Sequence, residues 1–301
     1  MSPARRARCF TGFVMLAICA SSWSAPPRQH QVPVEGFALT VWEKSPAKPR
    51  ATLLVVHGRT WSALPNFDLQ APAGNLSLMD ALARDGYAAY AVDLRGYGAT
   101  PRDGSGWLTP TRAAADVVAV LRWIHHRHPR LAQKPALIGY SRGAHVALLA
   151  AQQNPEALST LVLFALPPVT ARQASVPPAE PPRQATTRAA AAEDFITPGA
   201  ATPAVIEAYV SQAVAANPAR VDWRDEHQFV FDAALVKAPT LILFGANDPL
   251  LTNESVLKFF AALATQDRAF VVLPGSDHAA HVENSQREWL RVVTGFLEPR
   301  R

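Results

Sequence analysis

The chain has 301 residues, of which 49% are hydrophobic and 18% charged, and its mean hydropathy is close to zero. That balance excludes a disordered chain and a multi-span membrane protein, and the length suffices for one large domain with a core on both faces of a sheet. The formal charge of +5 includes Arg5, Arg6 and Arg8 with no acid in residues 1–24, so the rest carries +2, too little for a nucleic-acid binder.

Those three arginines precede an apolar run from Phe10 to Ala20 and then small and polar residues, the layout of a secretory signal peptide over residues 1–24. The run is about half of the ~20 residues a bilayer span needs, so no permanent membrane anchor is expected in the mature chain. Cleavage after Ser22 or after Ser24 fits equally. Arg5-Arg6 leaves twin-arginine export open, while Ile18 before Cys19 is too bulky for a lipoprotein site. The expected destination is periplasmic or secreted. Cys9 and Cys19 are the only cysteines and both fall in this leader, which excludes a disulfide, a cysteine nucleophile and a cysteine zinc site from the mature chain.

From about residue 37 strand and helix signals alternate, which predicts an α/β fold with a mostly parallel sheet and helices on both faces. Strands are expected at Phe37 to Trp42, Thr52 to Val56, Tyr87 to Val92, Ala136 to Ile138, Thr160 to Phe164, Thr240 to Phe244 and Phe270 to Leu273. A long loop follows His57-Gly58. Helices are expected at Leu76 to Ala83 with Gly86 as its stop, Ala113 to His126, Ala144 to Gln152, Ala204 to Val214, Ser255 to Leu263 and Asn284 to Leu297. Between about Pro167 and Ala192 six prolines oppose regular structure, so an insertion lies over the sheet at about 166–235.

Gly139-Tyr140-Ser141-Arg142-Gly143 follows an apolar strand and opens a helix. A serine on so tight a turn is exposed at the carboxyl edge of the sheet, and flanking glycines let strand and helix approach. A hydroxyl is a weak nucleophile until a base takes its proton, and the base needs an acid to fix its tautomer. Asp248, just past the strand ending at Phe244, and His278, past the next strand, stand in the order serine, acid, histidine. His281 is the competing base, though it falls further into the terminal helix. His57, at a strand end, suits a loop-bracing hydrogen bond. His125, His126 and His128 sit at a helix end and have no metal-site spacing. The backbone N–H of Arg142 and that of Arg59, with Thr60 as second choice, are the candidate oxyanion donors.

His57-Gly58, Asp93-Leu94-Arg95-Gly96-Tyr97-Gly98, the Ser141 turn, Asp248 and His278 together resemble the α/β-hydrolase superfamily over residues 37–165 and 236–298. The resemblance implies an eight-stranded sheet, a triad of Ser141, Asp248 and His278, a cap inserted after the sixth strand, and a structural turn at Asp93. Arg59 departs from the smaller or apolar residues common after His-Gly, and folded inward it would narrow the acyl pocket or bind an anionic group.

The expected activity is hydrolysis of a carboxylic ester or related acyl substrate through an acyl-enzyme, without cofactor or metal. Carbon–carbon bond hydrolysis, acyl transfer and perhydrolysis use the same residues, and a ligand-binding homologue without turnover is the reading of a different class. Trp61, Phe67, Trp107 and Trp223, with Phe195 and Tyr209, fall in the loops and cap around the site and suggest an apolar pocket for a small-molecule substrate, or equally the core of the cap.

Overall fold

A computed structural model describes residues 25–72, 74–170 and 176–298. The leader-like residues 1–24 lie outside the described residues. Eight strands form one sheet: β1 (Arg28–Val34), β2 (Phe37–Lys44), β3 (Ala51–Val56), β4 (Tyr87–Val92), β5 (Ala136–Tyr140), β6 (Leu161–Phe164), β7 (Thr240–Gly245) and β8 (Arg268–Leu273), in the spatial order β1-β2-β4-β3-β5-β6-β7-β8. The pairs β1–β2 and β2–β4 are antiparallel and the others parallel.

β1 carries no apolar run, so its sequence does not announce it. Its place comes from pairing with β2 through the two-residue turn Glu35-Gly36, where both residues have positive φ (50° and 79°), as the tightest hairpin loops require. β3 to β7 read as continuous apolar runs because both their faces are covered. Leu54 and Val56 of β3 join the core beneath α3 (Pro110–Arg127) and α4 (Arg142–Gln153), while Leu53 and Val55 face α2 (Leu78–Arg84) and α8 (Gln286–Leu297). Each fully buried side chain of this kind contributes ~1.5–3 kcal/mol.

Helix starts follow their caps. Ser77 Oγ accepts from Asp80 N and starts α2, and Thr109 followed by Pro110 starts α3 three residues before the apolar periodicity suggests. The loop after β3 contains a short helix, α1 (Ala63–Phe67), and a hairpin of Leu69–Ala71 with Gly74–Leu76.

Between β6 and β7 lies the insert, with α5 (Arg188–Ala192) and α6 (Pro203–Ala216). Tyr209, Val210 and Ala213 of α6 bury against Trp61 and Leu69 of the β3 loop and against Ala279 and Val282, which follow β8. A two-residue parallel bridge joins Asp222–Trp223 to Trp107–Leu108. The insert is thereby packed on the carboxyl edge of the sheet from both sides. α7 (Glu254–Ala262) completes the helices.

The chain leaves β3 toward β4 on one side and, later, β5 on the other. Such a reversal opens a crevice at the carboxyl ends of the strands. The pairing Val56↔Gly139 brings the His57-Gly58 loop beside Ser141, and Gly245↔Leu273 brings the loops after β7 and β8 together.

Candidate active site

Ser141 sits at φ 52°, ψ −120°, a conformation that L-residues rarely adopt, between β5 and α4. Its N–H donates to Phe164 O at 2.9 Å, and its own carbonyl accepts from Ala144 N at 2.9 Å, so the turn is held from both ends. The flanking glycines are sterically required. A Cβ on Gly139 would fall 2.6 Å from Ala144 Cα, and one on Gly143 would collide with the carbonyl oxygens of Val56 and His57. The hydroxyl is thereby lifted out of the sheet edge.

His278 comes from the loop after β8. Its Nε2 lies 3.1 Å from Ser141 Oγ and its Nδ1 lies 3.0 Å from Asp248 Oδ2. A carboxylate only accepts, so Nδ1 carries the proton and Nε2 is left to receive one. Asp248 is buried, and its second oxygen accepts from Leu250 N at 2.9 Å. The two loops are locked backbone to backbone: Asn247 N donates to Ser276 O and Ala246 N to Leu273 O, and a Cβ on Gly245 would overlap Ser276 and Asp277.

Burial alone would lower the pKa of His278. The hydrogen bond and charge of Asp248, with the charges of Asp194 and Asp277, outweigh it and hold the pKa above the ordinary histidine value. His281 is placed otherwise. Its ring is enclosed by Tyr140, Phe164 and Phe67, neither ring nitrogen has a hydrogen-bond partner among the described residues, and burial takes its pKa down to about 3. It is a neutral core imidazole out of contact with Ser141.

Two further carboxylates, Asp194 and Asp277, act on the base through their charges, and Glu283 lies behind Asp277. Asp277 Oδ2 accepts from Ile196 N at 3.1 Å and Thr197 N at 2.6 Å, tying the insert to the histidine loop. Glu283 Oε2 accepts from Asp277 N at 3.1 Å, and burial, with Asp277 beside it, raises the Glu283 carboxyl to about 8. Asp194, buried in the insert, accepts from Tyr209 Oη at 2.9 Å, and burial raises its pKa. Adjacent acidic residues carry no spacing signal, and only the fold gathers these.

The opposite side of Ser141 carries arginines. Arg142, buried at the start of α4, pairs through its guanidinium with Glu226 Oε2 at 2.9 Å. Arg59 pairs with Glu226 Oε1 at 2.9 Å. The Arg59 carbonyl accepts from Tyr97 Oη, which also accepts from Trp223 Nε1 at 2.9 Å. The backbone N–H of Arg142 is at the α4 N-terminus and that of Arg59 follows Gly58, whose Cα faces Ser141 Cβ. Thr60 lies next along the same loop, beside Trp61.

His57 braces this loop. Its Nδ1 donates to Gly58 O at 2.9 Å and its Nε2 accepts from Leu94 N at 3.2 Å, and burial lowers its pKa to about 4. Asp93 is a structural hub, accepting from Trp42 Nε1, Ala63 N and Ala99 N. A Cβ at Gly98 would collide with its carboxylate. His128 bonds Tyr90 Oη at 2.7 Å, far from Ser141 along the sheet.

Of the aromatic residues, Trp107 and Trp223 line one cavity of about 360 Å³ with Arg59 and Arg220. Trp61 lines a second, also about 360 Å³, with Thr60, Glu193 and Asp194. Phe67 packs into the core against His281, and Tyr209 with Phe195 forms the core of the insert. No helix among the described residues is long and apolar enough to cross a membrane.

An eight-stranded sheet of this order, with a serine on the turn after its fifth strand and an insert after its sixth, defines an α/β hydrolase. Residues 47–285 match the serine aminopeptidase S33 family, and the chain belongs to it. Solved structures of the same fold include a hydrolase from Pseudomonas aeruginosa PA01, 20% identical over 91% of this chain and 98% of that one, with TM-score 0.65. The thioesterase domain from the curacin biosynthetic pathway is 17% identical over 91% of this chain and 100% of that one, with TM-score 0.63. A serine hydrolase involved in carbazole degradation is 18% identical over 90% and 98%, with TM-score 0.62. No curated protein matches the chain in sequence.

Proposed function

We propose that this hydrolase acts on carboxylic esters or related small acyl substrates, with Ser141 as nucleophile, His278 as general base and acid, and Asp248 as the carboxylate that orients it. The observation that carries the reading is the chain of contacts from Ser141 Oγ to His278 Nε2 at 3.1 Å and from Nδ1 to Asp248 at 3.0 Å. His278 Nε2 takes the hydroxyl proton as Oγ bonds to the acyl carbon. The carbonyl pair moves to oxygen, and the backbone N–H groups of Arg142 and Arg59 receive the charge. Loss of one such donor costs ~3–4 kcal/mol of barrier in a well-formed hole. His278 then returns the proton to the leaving alkoxide. Water repeats the sequence on the acyl-enzyme, its proton passing to His278 and then to Ser141 as the acid departs.

In this reading the insert is a cap, Trp61, Trp107 and Trp223 supply apolar wall, and residues 1–24 direct export. The test is hydrolysis of a graded series of p-nitrophenyl esters by wild type and Ser141→Ala. Turnover confined to wild type is expected, and equal turnover by the variant would remove Ser141 from the reaction.

A second reading follows the activity in the family's description. An aminopeptidase must hold a substrate ammonium near the serine, and Asp194, buried near His278 and lining a cavity with Glu193, favours it. Burial raises the Asp194 pKa and Tyr209 already bonds it, which suits bracing better than cation binding. Cleavage of aminoacyl p-nitroanilides faster than of the matched esters would decide for this second activity.

A further inference from the structure

The cavity beside the Arg59 loop is charged in a way that hydrolysis of a neutral ester does not require. Arg59 and Arg220 stand on its wall, with the indoles of Trp107 and Trp223. Arg142 lies behind, its guanidinium 5.9 Å from the Trp223 ring centre and 5.1 Å from that of Phe229. All three arginines act on the Tyr97 hydroxyl, whose pKa burial pushes up to about 12 while the Trp223 hydrogen bond and the three charges pull it down.

Two guanidiniums, Arg59 and Arg220, border the cavity, and Arg59 shares the carboxylate of Glu226 with Arg142. Asp222 also borders the cavity, but its carboxylate is taken by Arg102 at 3.0 Å and by Arg183 N at 3.3 Å. Arg220 is exposed at the rim, between this cavity and the one that Glu193 and Asp194 line, and makes no ion pair with a carboxylate among the described residues; its carbonyl is what Arg102 binds. With the Asp222 carboxylate taken up by Arg102, the two guanidiniums that border the cavity are complemented by an anion, and their planar forks suit a carboxylate. On the histidine side of the site the charges of Asp194 and Asp277 disfavour the same group.

We propose that this cavity binds the remote carboxylate of the substrate, so that the enzyme prefers esters whose acyl half ends in a carboxylate. Glu226 then serves as the internal counter-ion that holds Arg59 and Arg142 in place while the cavity is empty. The inference rests on the ester-hydrolase reading, and the test separates the two.

Mono-p-nitrophenyl esters of succinate, glutarate and adipate are compared with p-nitrophenyl esters of neutral chains of the same length. Wild type is expected to favour the anionic member of one pair by about tenfold or more in kcat/KM, the range of a charge-assisted contact. Arg220→Met should cut that ratio by about fivefold or more and Arg220→Lys should keep most of it. Glu226→Gln should raise it, whereas a purely structural ion pair gives no rise. A wild-type ratio near one, or one unchanged in Arg220→Met, overturns the proposal. In a second arm, calorimetry measures free glutarate and its neutral dimethyl ester binding to Ser141→Ala. Arg220-dependent glutarate binding without turnover of any ester would leave the anion site standing and remove the ester-hydrolase reading. Ser141-dependent turnover, with glutarate bound no better than its dimethyl ester, would do the reverse.

Discussion

The two walls that flank Ser141 carry opposite charge. On the histidine side Asp248, Asp194 and Asp277 together raise the pKa of His278, while on the other side Arg59 and Arg142 share the single carboxylate of Glu226 and Arg220 stands beside Arg59 on the cavity wall. The difference shows how a single strained serine is served by two fields. In the proposed mechanism one wall readies a base to become a cation, and the other faces the oxygen on which negative charge collects. The insert is fastened to each wall by a contact of matching sign, backbone N–H groups of Ile196 and Thr197 on Asp277 at one end and Glu226 on two arginines at the other.

The contrast breaks most completely if the base is removed. His278→Ala is expected to lower kcat by ~10⁴–10⁶-fold while the melting temperature stays near that of wild type, as stopped-flow ester hydrolysis and calorimetry would read. Asp248→Asn keeps the shape but removes the charge, with an expected loss of ~10⁴-fold. The proposed mechanism works with the neutral imidazole, whose pKa is raised, so activity in wild type should rise with pH through a limb above the ordinary 6.5. In Asp248→Asn that limb should move to lower pH. Asp277→Asn sharpens the same comparison by a smaller step: the limb shifts in the same direction, and the loosened insert becomes more sensitive to limited proteolysis near Ile196.

Glu283 gives the smallest expected effect and reads in stability. Its carboxyl ionises near 4.5 when unfolded and near 8 when folded, so between those values the folded state keeps a proton that the unfolded state has released. Stability from this group is full below 4.5 and is lost as pH rises toward 8. Glu283→Gln should flatten the fall in denaturant midpoint across that window, and an unchanged slope would show that the carboxyl is ionised throughout.

Much of the fold was legible because strands buried on both faces write themselves as apolar runs, as Thr52 to Val56 and Thr240 to Phe244 do. The Ser141 turn was legible because its glycines answer to local sterics, and Asp248 and His278 because each follows a strand whose end the sequence marks. β1 was not legible, since Arg28–Val34 opens with four consecutive polar residues, sets Pro33 between two valines and owes its place to β2. The walls were not legible either. Asp277 meets Ile196, and Glu226 meets Arg142, across some eighty residues of chain, and neither pair has a local signature. Arg59 stood out as unusual after His-Gly, but its partner could be found only in three dimensions.

The proposed mechanism requires Ser141 Oγ to bond to substrate under the influence of His278. The direct measurement is intact-mass analysis and peptide mapping after treatment with a fluorophosphonate, on wild type, Ser141→Ala and His278→Ala. A single adduct on Ser141, absent from Ser141→Ala and slowed by orders of magnitude in His278→Ala, is predicted. An adduct on another residue, or Ser141 labelling as fast without His278 as with it, would contradict the account.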